Sequence, residues 1–220
     1  MFIGHYGVAL AAKKVDKNIS LGLLFFATQF VDILFFVLIL MGIERMSIVP
    51  GITAANPLDF TYYPYSHSLT ASLLWAGLFF VVFKITSSIS GSRNNRIALV
   101  VAAIVLSHFF LDVIVHRPDL PLFGDDSYKL GLGLWNYVIS SSLIEILILV
   151  AGLWLYLKST KSITFGGKYG MIIFAVFLIM MQMASLFMPP PPDIRGFATF
   201  GLVYQLMVVG VVSWLDRKRG

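Results

Sequence analysis

No cysteine occurs among the 220 residues. Disulfides, thiolate metal sites and cysteine nucleophiles are excluded together, so any metal here must be held by nitrogen and oxygen. Charge is nearly as scarce. Only 12% of the residues are Asp, Glu, Lys or Arg and 58% are hydrophobic, against about 25% and about 45–50% in soluble domains. With a mean hydropathy of +0.87, the chain has more apolar surface than a soluble fold of this length can hide, which leaves lipid as its solvent. No internal repeat is visible, which disfavours the inverted-repeat transporter folds.

What is present is a series of apolar runs of the length that crosses a bilayer, roughly 17–25 residues. Six are legible, at 19–41, 68–83, 97–115, 134–157, 169–188 and 197–215. The opening MFIGHYGVALAA is too short to span, has no basic lead-in and is followed by Lys13 and Lys14, unlike a cleaved signal peptide. The expected fold is therefore all-α: a polytopic membrane helix bundle of about six transmembrane helices, preceded by a short N-terminal re-entrant or interfacial helix, in one integral membrane domain.

The net charge of +5 invites a nucleic-acid partner, but its placement argues for a membrane instead. Lys13, Lys14 and Lys17 precede the first run; Lys84, Arg93 and Arg96 follow the second; Lys158, Lys161 and Lys168 follow the fourth; Arg217, Lys218 and Arg219 close the chain. The opposite connections hold only Arg45, Arg117, Lys129 and Arg195, with the acids Glu44, Asp59, Asp119, Asp125, Asp126 and Asp193. Under the positive-inside rule both termini are cytoplasmic. Between the last two runs, Pro189–Pro192 cannot continue a helix and predicts a stiff outer turn.

Ionisable groups inside membrane spans are costly and mark functional sites by default. Asp32, Asp112 and Glu145 lie inside the runs, and His5, His67, His108 and His116 lie in or beside apolar segments. In LSHFFLDVIVHRPDLP, His108, Asp112 and His116 recur at steps of four, so they form one stripe on a helix. His108 and His116 are about 12 Å apart along that helix, too far to bind one ion while it persists. Either Asp112 pairs with one neighbour, or it bridges two metals, or His116 stands behind the first ligands. Pro118 ends the helix. In YYPYSHS, Ser66 reads as an N-cap that puts His67 in the first turn of the second span, where the helix dipole favours a neutral imidazole. Counting along the helices puts Asp32 and His108 at about 20 and about 18 Å from the cytoplasmic side and Glu145 at about 15 Å from the other. An outward-opening cavity at the midplane would collect them, with His5 joining only if the N-terminal segment re-enters the bilayer. The bland alternatives are a protonated, hydrogen-bonded Asp32, a packed His5, a Glu145 bonded to its preceding serines, and an Arg117–Asp119 loop pair. GLGLWN reads as a turn and interfacial anchor.

GHYGVALAAK, QFVDIL around Asp32, YPYSHS, SHFFLDVIVHRPDLP, GLGLWN followed by Glu145, and the PPPP turn run from the N-terminus past residue 190. On these pieces the chain resembles, over nearly its whole length, a family of bacterial inner-membrane proteins labelled as membrane-bound metal-dependent hydrolases and sometimes as permeases. The resemblance implies a place in the bacterial cytoplasmic membrane and a metal site drawn from His5, Asp32, His67, His108 and Asp112. Relatives usually have a Pro-Asp-x-Asp run where this chain has Phe30-Val31-Asp32-Ile33, so one carboxylate is missing here.

The expected function is hydrolysis of a lipid-borne or membrane-delivered ester, a phosphate ester first. A divalent ion, zinc before manganese, would sit on His67, His108 and Asp112, with Asp32 or His5 completing the shell. Such an ion brings the pKa of a bound water to about 7. Glu145 or Asp32 would serve as general base, His116 would protonate the leaving group and Arg117 would stabilise developing negative charge. The rivals are a proton- or cation-coupled transporter built on the same groups, and a membrane chaperone or partner-binding scaffold.

Overall fold

In lipid, backbone polar groups find no water, so an apolar run must satisfy its own N–H and C=O groups as a helix. The computed structural model describes residues 1–89, 95–162 and 164–219; Arg93, one of the expected basic-side residues, lies outside them. Six long apolar helices form: α2 (Leu21–Leu40), α4 (Leu69–Ile89), α5 (Arg96–Val115), α6 (Val138–Ser159), α7 (Phe165–Ser185) and α8 (Ile194–Asp216). A short helix, α1 (Ile3–Ala12), precedes them, and a one-turn helix, α3 (Pro64–His67), stands before α4. This is the expected all-α polytopic bundle. Two small antiparallel hairpins, β1 (Arg45–Ile48) with β2 (Leu58–Tyr62) and β3 (Leu120–Pro121) with β4 (Lys129–Leu130), were not foreseen.

Side-chain caps set several boundaries where hydropathy alone misplaced them. Thr164 accepts from Gly167 N at 3.1 Å and starts α7 earlier than the apolar run does. Asp193 does the same for α8 through Gly196 N at 2.7 Å. Residues Leu134–Asn136 are a 3-10 turn and α6 begins only at Val138, so the fourth span is shorter at its start than the apolar run. At the second span, the expected cap on Ser66 is corrected. Pro64 opens the separate turn α3, Ser68 is extended, and it is the Ser68 hydroxyl that accepts from Ala71 N at 3.0 Å. His67 therefore closes α3 and is not in the first turn of α4, so its state cannot be assigned to the α4 dipole.

Of the two placements expected for the N-terminal helix, the interfacial one fails. Only Val8 and Ala11 of α1 fall short of full burial. Its start lies deep in the bundle, with the Met1 α-amino group against Asp112. Its end reaches the basic face, where Lys13 Nζ bonds Asp216 at 2.7 Å and the Ile19 carbonyl at 2.8 Å. The segment after α1 and the end of α8 thus share one face, but Met1 itself is internal. The helices α2 and α5 are central, 44% and 39% buried over their apolar windows, whereas α4 is 17% buried and mostly faces lipid.

Glycine makes the α1–α6 contact. A Cβ at Gly152 would lie 2.0 Å from the Gly7 carbonyl oxygen, and one at Gly7 would lie 2.3 Å from that of Ile148. Two backbones approach here as only glycine permits. Gly152→Ala is expected to pry α1 from α6 and cost about 1–3 kcal/mol, read as a lowered Tm in detergent. Gly77→Ala, where a new Cβ meets nothing within 4 Å, should leave the Tm unchanged or slightly raised.

Candidate metal centre

Four elements bring the His/Asp set together: α1 carries His5, α2 Asp32, α3 His67, and α5 both His108 and Asp112. His67 Nε2 lies 3.4 Å from Asp32 Oδ1 and 3.7 Å from Asp112 Oδ2. His108 Nε2 lies 3.5 and 3.1 Å from the same two oxygens. His5 stacks on His108 with centroids 3.9 Å apart, its Nε2 3.1 Å from Asp112 Oδ1. All are shielded except Asp32, whose side chain is 21% exposed. The groups meet one another instead of lining the open cavity that was expected, and Asp32 is the member with partial exposure.

Hydrogen bonding decides which ring nitrogen faces the centre. His108 Nδ1 is 2.7 Å from the Thr28 carbonyl oxygen, which can only accept, so Nδ1 carries the proton. Nε2 is then the nitrogen that faces the centre, fully buried between two carboxylates, 3.1 Å from Asp112 and 3.5 Å from Asp32. Lone pairs converging from imidazole and carboxylate repel unless a proton or a cation lies among them. The four nitrogen-to-oxygen separations of 3.1–3.7 Å bracket the edge of about 3.3 Å in a tetrahedron with metal bonds of about 2.0–2.1 Å. The residues present therefore fit a small divalent ion.

Two triplets have the spacing to hold one, His5–Asp32–His108 and His67–His108–Asp112. Both need His108. Since its Nδ1 is committed to Thr28, His108 has one nitrogen to offer and can serve only one triplet at a time.

The His-x3-Asp-x3-His stripe divides where α5 stops. His116 is the extended C-cap, and Gly133 N donates to its carbonyl at 2.6 Å. Its Nδ1 bonds Asp119 Oδ1 at 2.9 Å, and Trp135 covers it with ring centroids 4.3 Å apart. Asp119 also accepts from Tyr63 Oη at 2.9 Å and Arg117 Nε at 3.1 Å, while Arg117 pairs with Asp59 on β2. His116 and Arg117 thus belong to an outer network, the His116 ring 6.5 Å from that of His67. Glu145 is also set apart: its Oε2 accepts from Phe2 N at 2.7 Å and Gly4 N at 3.2 Å, capping the first turn of α1. The serines before it are not its partners.

Sequence reasoning missed Thr28, Glu44, Ser66 and Tyr63 as supports. Glu44, 1% exposed, accepts from Tyr65 N, Ser66 N and Ser66 Oγ. The available signal was its place as the first acid after α2, opposite the YPYSHS turn. Compared with protein-family models, curated proteins and solved structures, the chain matches none.

Burial lowers the His116 imidazole below its ordinary value despite the pull of Asp119. For Asp119, burial pushes upward, but the hydrogen bonds from His116, Tyr63 and Arg117 win and hold it low. Both groups bind fewer protons folded than unfolded, so stability falls as pH drops below about 6.5, the unfolded value for histidine. Melts from neutral to mildly acid pH should show a falling Tm, and His116→Gln should flatten part of that slope.

Proposed function

We propose that this chain is a membrane-embedded metal-dependent hydrolase for a lipid-borne or membrane-delivered ester, a phosphate ester foremost. The observation that carries this reading is the buried His108 Nε2 aimed between Asp32 and Asp112. His67, His108 and Asp112 would hold one divalent ion, zinc before manganese, on nitrogen and oxygen donors that leave a position open. A bound ion would supply a Lewis acid to an ester oxygen. The resemblance to membrane-bound metal-dependent hydrolases points the same way.

The protein groups divide the remaining work. Asp32, the exposed member, is the carboxylate that an incoming water or substrate meets, and is placed to take a proton from it. Glu145 is engaged with the α1 amides, which favours Asp32 as the base. His116, backed by Asp119, would return a proton to the leaving group, and Arg117 would steady negative charge at the outer rim. The basic face would be cytoplasmic, in a bacterial inner membrane.

One observation favours transport as a second reading. A second set of buried polar side chains is joined inside the bundle, with Gln205 Nε2 to Gln29 Oε1 at 3.1 Å and Tyr6 Oη to Gln205 Oε1 at 2.8 Å. Such a string suits a proton or cation pathway.

Elemental analysis separates the two. Protein purified without chelator should hold close to one zinc or manganese per chain and lose it in His108→Gln and Asp112→Asn. A metal-free wild type would overturn the hydrolase reading and direct attention to proton-coupled flux in liposomes.

A further inference from the structure

A carboxylate buried in protein is expensive unless a cation pairs with it. Glu44 is 1% exposed, yet among the described residues no Lys, Arg or His makes an ion pair with it. Its partners are all neutral donors. Oε1 takes the amides of Tyr65 and Ser66, each at 2.9 Å, and Oε2 takes the Ser66 hydroxyl at 2.6 Å. The amides belong to the first turn of α3, so part of this is capping. The hydroxyl bond does something more, because Ser66 Oγ also lies 2.7 Å from His67 Nδ1.

A serine hydroxyl has one proton and two lone pairs. Once its proton points at the Glu44 carboxylate, only lone pairs remain for His67, so Nδ1 must donate. The nitrogen of His67 that faces Asp32 and Asp112 is then Nε2, which carries the lone pair in the neutral ring. A different device gives His108 the same tautomer, a direct bond from Nδ1 to the Thr28 carbonyl. Two histidines from separate elements are thus held with Nε2 inward. Carboxylate or carbonyl support behind a ligating imidazole also raises its basicity toward a metal.

We propose that Glu44 and Ser66 are a positioning pair that holds His67 as its Nδ1–H tautomer and thereby sets the affinity of the centre for a divalent cation. The inference rests on the metal-centre reading for its second half and on hydrogen bonding alone for its first. Glu44→Gln is the informative variant. Its amide nitrogen would donate to Ser66 Oγ, turning the hydroxyl proton toward His67 Nδ1 and forcing the ring proton onto Nε2. Ser66→Ala leaves both amide caps on Glu44 but cuts the link to His67.

The test uses full-length protein in detergent and two readouts. Nitrogen-15 histidine NMR of the metal-free protein above neutral pH reports the His67 tautomer: Nδ1–H in the wild type, Nε2–H in Glu44→Gln. Competition of zinc against a chelator should show affinity falling about 10–100-fold in both variants, with the Tm of the metal-free protein little changed in Ser66→Ala. An unchanged tautomer in Glu44→Gln overturns the positioning role whether or not metal binds. A switched tautomer with unaltered zinc affinity overturns the claim on affinity. A switched tautomer in a protein that binds no zinc supports the positioning role and refutes the metal centre instead. A lowered Tm with both readouts unmoved reduces the pair to a helix cap.

Discussion

Asp32 and Asp112 bring two carboxylates to one place inside a hydrocarbon layer, and this constraint organises the structure around them. Lipid offers neither hydration nor counter-ions, so the cost of the acids must be met by groups the chain supplies. Three histidines converge on the pair from α1, α3 and α5. To bring them there, α1 enters the bundle, a proline-started turn stands ahead of α4, and glycines clear the path between α1 and α6. The central position of α2 and α5 follows, since these helices carry the acids.

Around that core lies a shell of hydrogen bonds to carbonyl, hydroxyl and carboxylate groups that orients the imidazoles and the start of α1. Thr28 acts through its backbone, Ser66 through its hydroxyl with Glu44 behind it, and Glu145 through the amides at the start of α1. Beyond them, the two hairpins and the 131–136 turn form a roof. Gly131 sits where a Cβ would lie 2.0 Å from the Arg117 carbonyl oxygen, which lets the roof close onto the end of α5 and brings Trp135 over His116. The outer network of Asp59, Arg117, Asp119 and Tyr63 ties that roof to the turn before α4.

The spans were legible because a run of about twenty apolar residues has one solution in lipid. The set of polar residues was legible for the complementary reason, that a histidine or aspartate in such a run stands out. What the sequence did not disclose depended on contacts between distant segments. His5 looked too near the basic face, but the helix that bears it folds inward. Glu145 finds its partners in Phe2 and Gly4, separated from it by more than a hundred residues. Ser66 looked like a cap because serine beside an apolar run usually is one; Ser68, two positions on, fills that place and frees Ser66 to face Glu44. Spacing in fours put His108 and Asp112 on one face of α5, as found, but it carried no information on where α5 would stop. The end of the helix separates His116 from the other two.

The pairing of α1 with α6 also bears on how the protein is made. The helix that bears His5 finds its closest packing partner, and the carboxylate that caps it, on a segment synthesised more than 140 residues after it. At about 5–20 residues per second, that interval is roughly seven to thirty seconds. During it, His5 and the opening of α1 lack the surface that encloses them in the finished bundle. On that order of synthesis, the start of α1 is enclosed only once α6 has joined the bundle.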